Sequence, residues 1–172
     1  MEELFDVFTR NGDYVGVKTR SFCHSINPGV YHKPVWIWII NEKKEILVQK
    51  RADCKESSPG LYDMPSAGHV HSGESSIEGC VRETYEELGI KFDANRFKFI
   101  KEYKYDKYWE LAQIYLLKVD SNECDFKLDP NEVAEVKWLT FDEFKKIIYS
   151  EYFEVNTIDY KDEVIKILEN NI

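Results

Sequence analysis

The chain has 172 residues, 43% hydrophobic, 15% aromatic and 32% charged; that supply fills the core of one domain spanning 1–172 and excludes a mostly disordered chain. With 23 Lys and Arg against 32 Asp and Glu the formal net charge is −9, so nucleic acid, which calls for a basic face, is not an expected partner. No apolar run approaches the roughly 20 residues of a membrane span, and the start Met1-Glu2-Glu3-Leu4 lacks a secretion signal's basic and apolar stretches, so a cytoplasmic protein with no membrane partner is expected. Cys23, Cys54, Cys80 and Cys124 form no CxxC pair, which leaves reduced thiols as the expectation.

Taken in chain order, Leu4–Thr9 and Tyr14–Lys18 are strand-like and flank the turn dipeptide Asn11-Gly12, which predicts an N-terminal hairpin. An irregular stretch from Ser21 to Pro34 follows. Val35 to Ile40 is apolar at every position, the pattern of a strand buried on both faces. A polar turn leads to a second strand at Ile46–Lys50, a loop at Ser57–Gly60 and short extended pieces between Leu61 and Val70. A helix is predicted from Ser76 to Leu88: Ser75 and Glu78 form a capping box, and Gly89 supplies the left-handed residue at its end. Its apolar positions Ile77, Cys80, Val81, Tyr85 and Leu88 make one core-facing stripe. Strands follow at Phe97–Tyr105, Leu111–Val119 and Val133–Leu139, then a helix capped by Thr140 and an amphipathic helix over Thr157–Glu169. Strands on both sides of the first helix imply an α/β sandwich around a mixed sheet.

Chemistry concentrates on that first helix. Glu83, Glu86 and Glu87 stand at i, i+3 and i+4 and share a face centred roughly opposite the apolar stripe. Like charges so close repel. A hard divalent cation such as Mg²⁺ or Mn²⁺ relieves that repulsion and prefers oxygen ligands. An acidic helix face alone is more often a solvated surface, so the surroundings must decide.

They are specific. The spacing Gly68-x5-Glu74-x7-Arg82-Glu83-x-x-Glu86-Glu87-x-Gly89 resembles the Nudix box, complete at all seven charged and glycine positions; a chance match is on the order of one in a million at ordinary residue usage. The departure is Thr84, where the family usually has an aliphatic residue. The resemblance implies a Nudix-type α/β/α sandwich and hydrolysis of a diphosphate linkage in a small nucleoside-diphosphate-type metabolite. It also implies Mg²⁺ or Mn²⁺ on Glu83, Glu86, Glu87 and the Gly68 carbonyl, with Arg82 and Glu74 holding the carboxylates. The remaining partner is the small-molecule diphosphate itself, and a monomer or homodimer suits the reading.

A narrower resemblance runs through His24, Tyr31-His32-Lys33, Gln49-Lys50-Arg51, Lys55, Pro59-Gly60, Asp63 and Ala67-Gly68-His69-Val70. These look like the Nudix branch that includes type 1 isopentenyl-diphosphate isomerase. In that isomerase, histidines at positions like His24, His32 and His69 bind a divalent metal with box glutamates, so His32 and His69 join the candidate metal ligands. The isomerase also needs a cysteine just before the last of these histidines, and the stretch from Asp63 to His69 has none. The match favours the isomerase-like hydrolases; isomerisation, or ligand sensing by an idle Nudix fold, are the alternatives. Lys50, Arg51 and Lys55 are candidate substrate cations. Glu132 and Glu135 are candidates for an extra carboxylate, and Trp109 could stack on a base, whereas Trp36 and Trp38 suit the core.

Overall fold

The structure, a computed structural model, describes residues 2–154 and 160–172. The hydrophobic run becomes the central strand. β3 (Pro34–Asn41) is buried at all eight positions and pairs parallel with β8 (Glu110–Val119). On its other edge it pairs antiparallel with β4 (Ile46–Arg51) and with β6 (Ser66–His69). The sheet continues through β5 (Tyr62–Asp63) and β9 (Val133–Leu139) on the β4 side and β7 (Phe97–Tyr105) beyond β8. The expected mixed sheet is therefore present, together with the antiparallel hairpin of β1 (Leu4–Phe8) and β2 (Tyr14–Thr19).

Strand alternation splits the core into two layers. Val35, Ile37 and Ile39 face α2 (Ser76–Leu88) and meet Leu47, Cys80, Leu88, Phe92 and Leu117. Trp36, Trp38 and Ile40 face the other way. They pack with Ile46 and Val48 of β4, with Phe144 and Ile148 of α3 (Phe141–Ile148), and with Val164 and Leu168 of α4 (Lys161–Glu169). Trp36 stacks on Tyr160 with ring centres 4.6 Å apart, so both strand tryptophans are core residues as expected. Each fully buried large apolar side chain contributes about 1.5–3 kcal/mol, which makes β3 the anchor of both layers.

Local chemistry agrees with most predicted boundaries. Ser75 and Thr140 cap α2 and α3, each with a complete capping box. Three readings change. Thr9 leaves the predicted strand and joins the hairpin connection, residues 9–13, where its Oγ1 accepts from the backbone N–H groups of Asn11 and Asp13 at 3.2 Å. The stretch after Thr19 contains a helical turn, α1 (Arg20–Cys23), capped by the Thr19 hydroxyl. Tyr85 is 58% exposed and leaves the predicted stripe, whose Ile77, Cys80, Val81 and Leu88 do pack in the core, while Gly79, Thr84 and Glu87 join the buried face. Thr84 tolerates this burial because its hydroxyl donates back to the Cys80 carbonyl at 2.7 Å. Residues 157–159 of the last predicted helix lie outside the described residues.

Gly89 closes α2 with φ 71°, and a Cβ there would lie 2.3 Å from the Lys127 carbonyl oxygen. Gly89→Ala therefore combines a left-handed backbone with a clash, a cost of about 1–2 kcal/mol or more. A thermal melt of the variant should show a fall of roughly 4 °C or more in Tm.

Candidate active site

The glutamates do not stand off the helix into solvent opposite the packed stripe. α2 lies along β6, so Glu83 and Glu87 are tucked between helix and strand, and only Glu86 is half exposed. The Glu87 carboxylate accepts from the Ala67 N–H at 3.2 Å. A Cβ at position 68 would fall 1.9–2.2 Å from the Glu83 carboxyl atoms; only glycine lets that carboxylate lie against the strand.

Arg82 holds the group together. Its fork bonds Glu74 twice, at 3.0 and 2.9 Å, and its remaining nitrogen reaches Glu83 at 2.6 Å and Glu86 at 3.0 Å. A further bond of 2.7 Å runs to the His69 carbonyl. Burial works against the guanidinium, but the Glu74 and Glu83 carboxylates hold it firmly protonated. Burial likewise opposes ionisation of Glu74, yet Arg82 and the His71 N–H keep that carboxyl below its ordinary value. At Glu87 burial, reinforced by the charge of Glu83, pushes the carboxyl up to about 8. These oxygen donors, crowded against a glycine backbone, fit a hard divalent cation.

A cavity of about 460 Å³ opens beside them. Arg51 and Lys55 line it with Gly68, His69, Arg82, Glu83, Glu86 and Glu87. Lys50 is not on its wall: alternation along β4 turns Lys50 with Ile46 and Val48 away from α2, while Leu47, Gln49 and Arg51 face α2. Arg51 is paired with Asp63 at 3.2 Å and Lys55 with Glu132. Glu132 thus joins the cavity wall, whereas Glu135 accepts from the Tyr62 hydroxyl at 2.9 Å. Trp109 lies beyond it, its ring 5.2 Å from that of Tyr31.

Next to the cavity, one nitrogen each of His24, His32 and His69 lie within 4.8 Å of one another. Both ring nitrogens of His32 are buried without a hydrogen-bond partner. Phe5 of the hairpin stacks on His69 and His32, with ring centres 4.9 and 5.6 Å away. Burial, then the charges of His24 and Arg20, drives His32 down to about 3, and burial holds His69 well below its ordinary range. Glu110 at the start of β8 faces both rings, 3.7 Å from His32 and 4.0 Å from His69. Burial alone pushes its carboxyl up to about 8.

Sequence spacing missed Glu110, Arg20, Glu3 and Asp129, all of which stand at these two sites, and gave no role to Gln49, which lines the cavity beside Arg51. None of the missed residues carries a local pattern; Glu110 lies 78 residues from His32, and only the parallel β3–β8 pairing brings those neighbourhoods together. Asp129 reaches the wall because its backbone N–H bonds the Glu87 carbonyl at 3.4 Å.

Arginine-bound carboxylates on a capped helix thus stand beside a polar cavity that Arg51 and Lys55 line, an arrangement whose donors fit a hard cation and an anionic ligand. A family model described as NUDIX domain matches residues 30–156, and the chain belongs to the Nudix family. It is 33% identical over 163 residues to Nudix hydrolase 3 of Arabidopsis thaliana, a match covering 87% of this chain but only 21% of that longer protein. To an uncharacterised Nudix hydrolase of Listeria monocytogenes it is 32% identical over 151 residues, 86% of this chain and 85% of the relative. An isopentenyl-diphosphate delta-isomerase of Streptomyces coelicolor is 31% identical over 87 residues, 51% of this chain and 44% of that one. The crystal structure of DR0079 from Deinococcus radiodurans superposes with a TM-score of 0.70 at 20% identity, covering 98% of each chain; that likeness is one of fold. Both the Nudix resemblance and its isomerase-like branch are borne out.

The raised carboxyls set a pH dependence for the metal-free protein. Glu87 and Glu110 hold protons in the folded state up to about 8, but in the unfolded chain only to about 4.5. The folded state therefore binds more protons across that window, and stability falls as pH rises through it. The depressed histidines act oppositely, adding stability up to about pH 6.5. In EDTA, Tm should fall between pH 6.5 and 8, and Glu87→Gln should flatten that slope.

Proposed function

We propose that this chain hydrolyses a diphosphate linkage of a small metabolite with Mg²⁺ or Mn²⁺ held by Glu83, Glu86, Glu87 and the Gly68 carbonyl. One observation carries the reading: Arg82 gathers the carboxylates against β6 while Arg51 and Lys55 face the same cavity. When bound, the ion neutralises diphosphate oxygens and lowers the pKa of water. The chain's own part follows from its charges. Arg51 and Lys55 hold the anionic substrate, and Arg82 with Glu74 keeps the ligand carboxylates aligned. Water attacks phosphorus, a new P–O bond forms, the bridging P–O bond breaks, and the released proton passes to a carboxylate of the cavity wall. His24, His32, His69 and Glu110 support a second divalent ion beside the first, since one nitrogen of each histidine converges, those of His32 lack a hydrogen-bond partner, and Glu110 faces the His32 and His69 rings.

Glu86 is half exposed and takes little part in packing. Glu86→Gln should lower kcat about 100-fold or more at unchanged folded stability. Millimolar Mg²⁺ should raise the Tm of the parent protein and raise that of the variant less. Near-parental turnover at limiting Mg²⁺ would sink the metal assignment.

The histidine cluster also supports the isomerase reading. Shifting a double bond by protonation and deprotonation needs an acid and a base on opposite faces of the alkene. Residues 63–69 offer Ser66, a poor proton-transfer group near neutral pH, and the Cys80 thiol is buried on α2 and pushed far up by burial. Isopentenyl diphosphate incubated in D₂O with Mg²⁺ should gain no deuterium by NMR. Label incorporated at an enzymatic rate would replace hydrolysis with isomerisation.

A further inference from the structure

Gln49 is a polar residue where the core pattern calls for an apolar one. Leu47, two residues earlier on the same face of β4, packs against the α2 layer, and Arg51, two later, is a cavity cation. Between them Gln49 is 3% exposed and lines the cavity, with its Oε1 lacking any hydrogen-bond partner. An aliphatic side chain there would extend the core without leaving a buried amide unsatisfied. The rest of the wall is equally polar. Among the described residues its only apolar side chain is Ala67, and no Phe, Tyr or Trp lines it.

Such a wall has nothing to hold a hydrocarbon chain, which needs apolar surface, and no phenyl or indole ring on which a base could stack. An amide, with a donor at one end and an acceptor at the other, matches a hydroxyl, which is both. Resting on the diphosphate-hydrolase reading, we propose that the site selects a hydroxylated diphosphate, of the sugar or polyol type, through Gln49. A nucleobase or an alkyl chain attached to the diphosphate adds little.

The test compares kcat/KM, with Mg²⁺, for ADP-, GDP-, CDP- and UDP-glucose, for 5-phosphoribosyl 1-diphosphate and for geranyl diphosphate. Ligand-induced Tm shifts on the same compounds give a readout independent of turnover. The four nucleotide sugars should agree within about threefold, the base-free ribosyl compound should equal or exceed them, and geranyl diphosphate should fall at least about tenfold below. Gln49→Leu should lower kcat/KM for the hydroxylated compounds about tenfold or more and narrow their lead over geranyl diphosphate. Its parental Tm should be kept or exceeded; if it does not fold, Gln49→Met takes its place. A base preference above tenfold, geranyl diphosphate as the best substrate, or an unaltered Gln49→Leu profile overturns the proposal while leaving the hydrolase reading intact. Cleavage of the diphosphate bond in none of the compounds, with no Tm shift, overturns both.

Discussion

Like charges forced together are the constraint around which this molecule is arranged. Glu74, Glu83 and Glu86 converge on one guanidinium, and Glu87 lies against the same strand with its carboxyl largely withdrawn from water. Without Arg82 the buried members would face one another uncompensated, a situation that costs several kcal/mol. With it, two bonds to Glu74 fix the plane of the fork, and the free nitrogen bridges Glu83 and Glu86. The arginine neutralises only part of the charge, and the remainder is what the proposed divalent cation would offset.

Helix α2 can carry this load because its other side is committed to the core. Cys80, Thr84 and Leu88 are fully buried beneath the α2-facing side chains of β3. The capping box at Ser75 and the left-handed Gly89 then set both ends of the helix. Position along α2 therefore translates into position along β6, and the carboxylates meet the strand in register. A shift of one residue would rotate Glu83 by about 100° and take it away from the glycine that admits it.

How much of this was legible beforehand depended on whether the signal was local. Helix boundaries at Ser76 and Leu88 followed from caps and periodicity, and β3 from an unbroken apolar run. The box residues are close in sequence, so their convergence could be foreseen; their burial could not. Spacing places Glu83 and Glu87 on a face opposite the apolar stripe, whereas the close approach of β6, made possible by Gly68, covers them. Lys50 and Arg51 are adjacent in sequence and part company across the pleat. Deciding which of the two faces α2 required knowing that Leu47 does, a tertiary fact. Glu110 and Arg20 come from two separate elements and carry no spacing that relates them to the box.

The four residues of β6 link what would otherwise be two separate sites. Ser66 begins the strand opposite Ile37, so its register is set by the most buried element of the fold. The Ala67 N–H binds Glu87, the Gly68 backbone admits Glu83, and the His69 carbonyl accepts from Arg82. The His69 ring meanwhile points to the cluster of His24, His32 and Glu110, beneath Phe5 of the hairpin. A strand so short has little freedom once β3 and α2 hold both its edges. The carboxylate site and the histidine site therefore share one rigid floor, and their separation is fixed by backbone rather than by side-chain choice. That is the property required of a site that must present a diphosphate to more than one charged group at once.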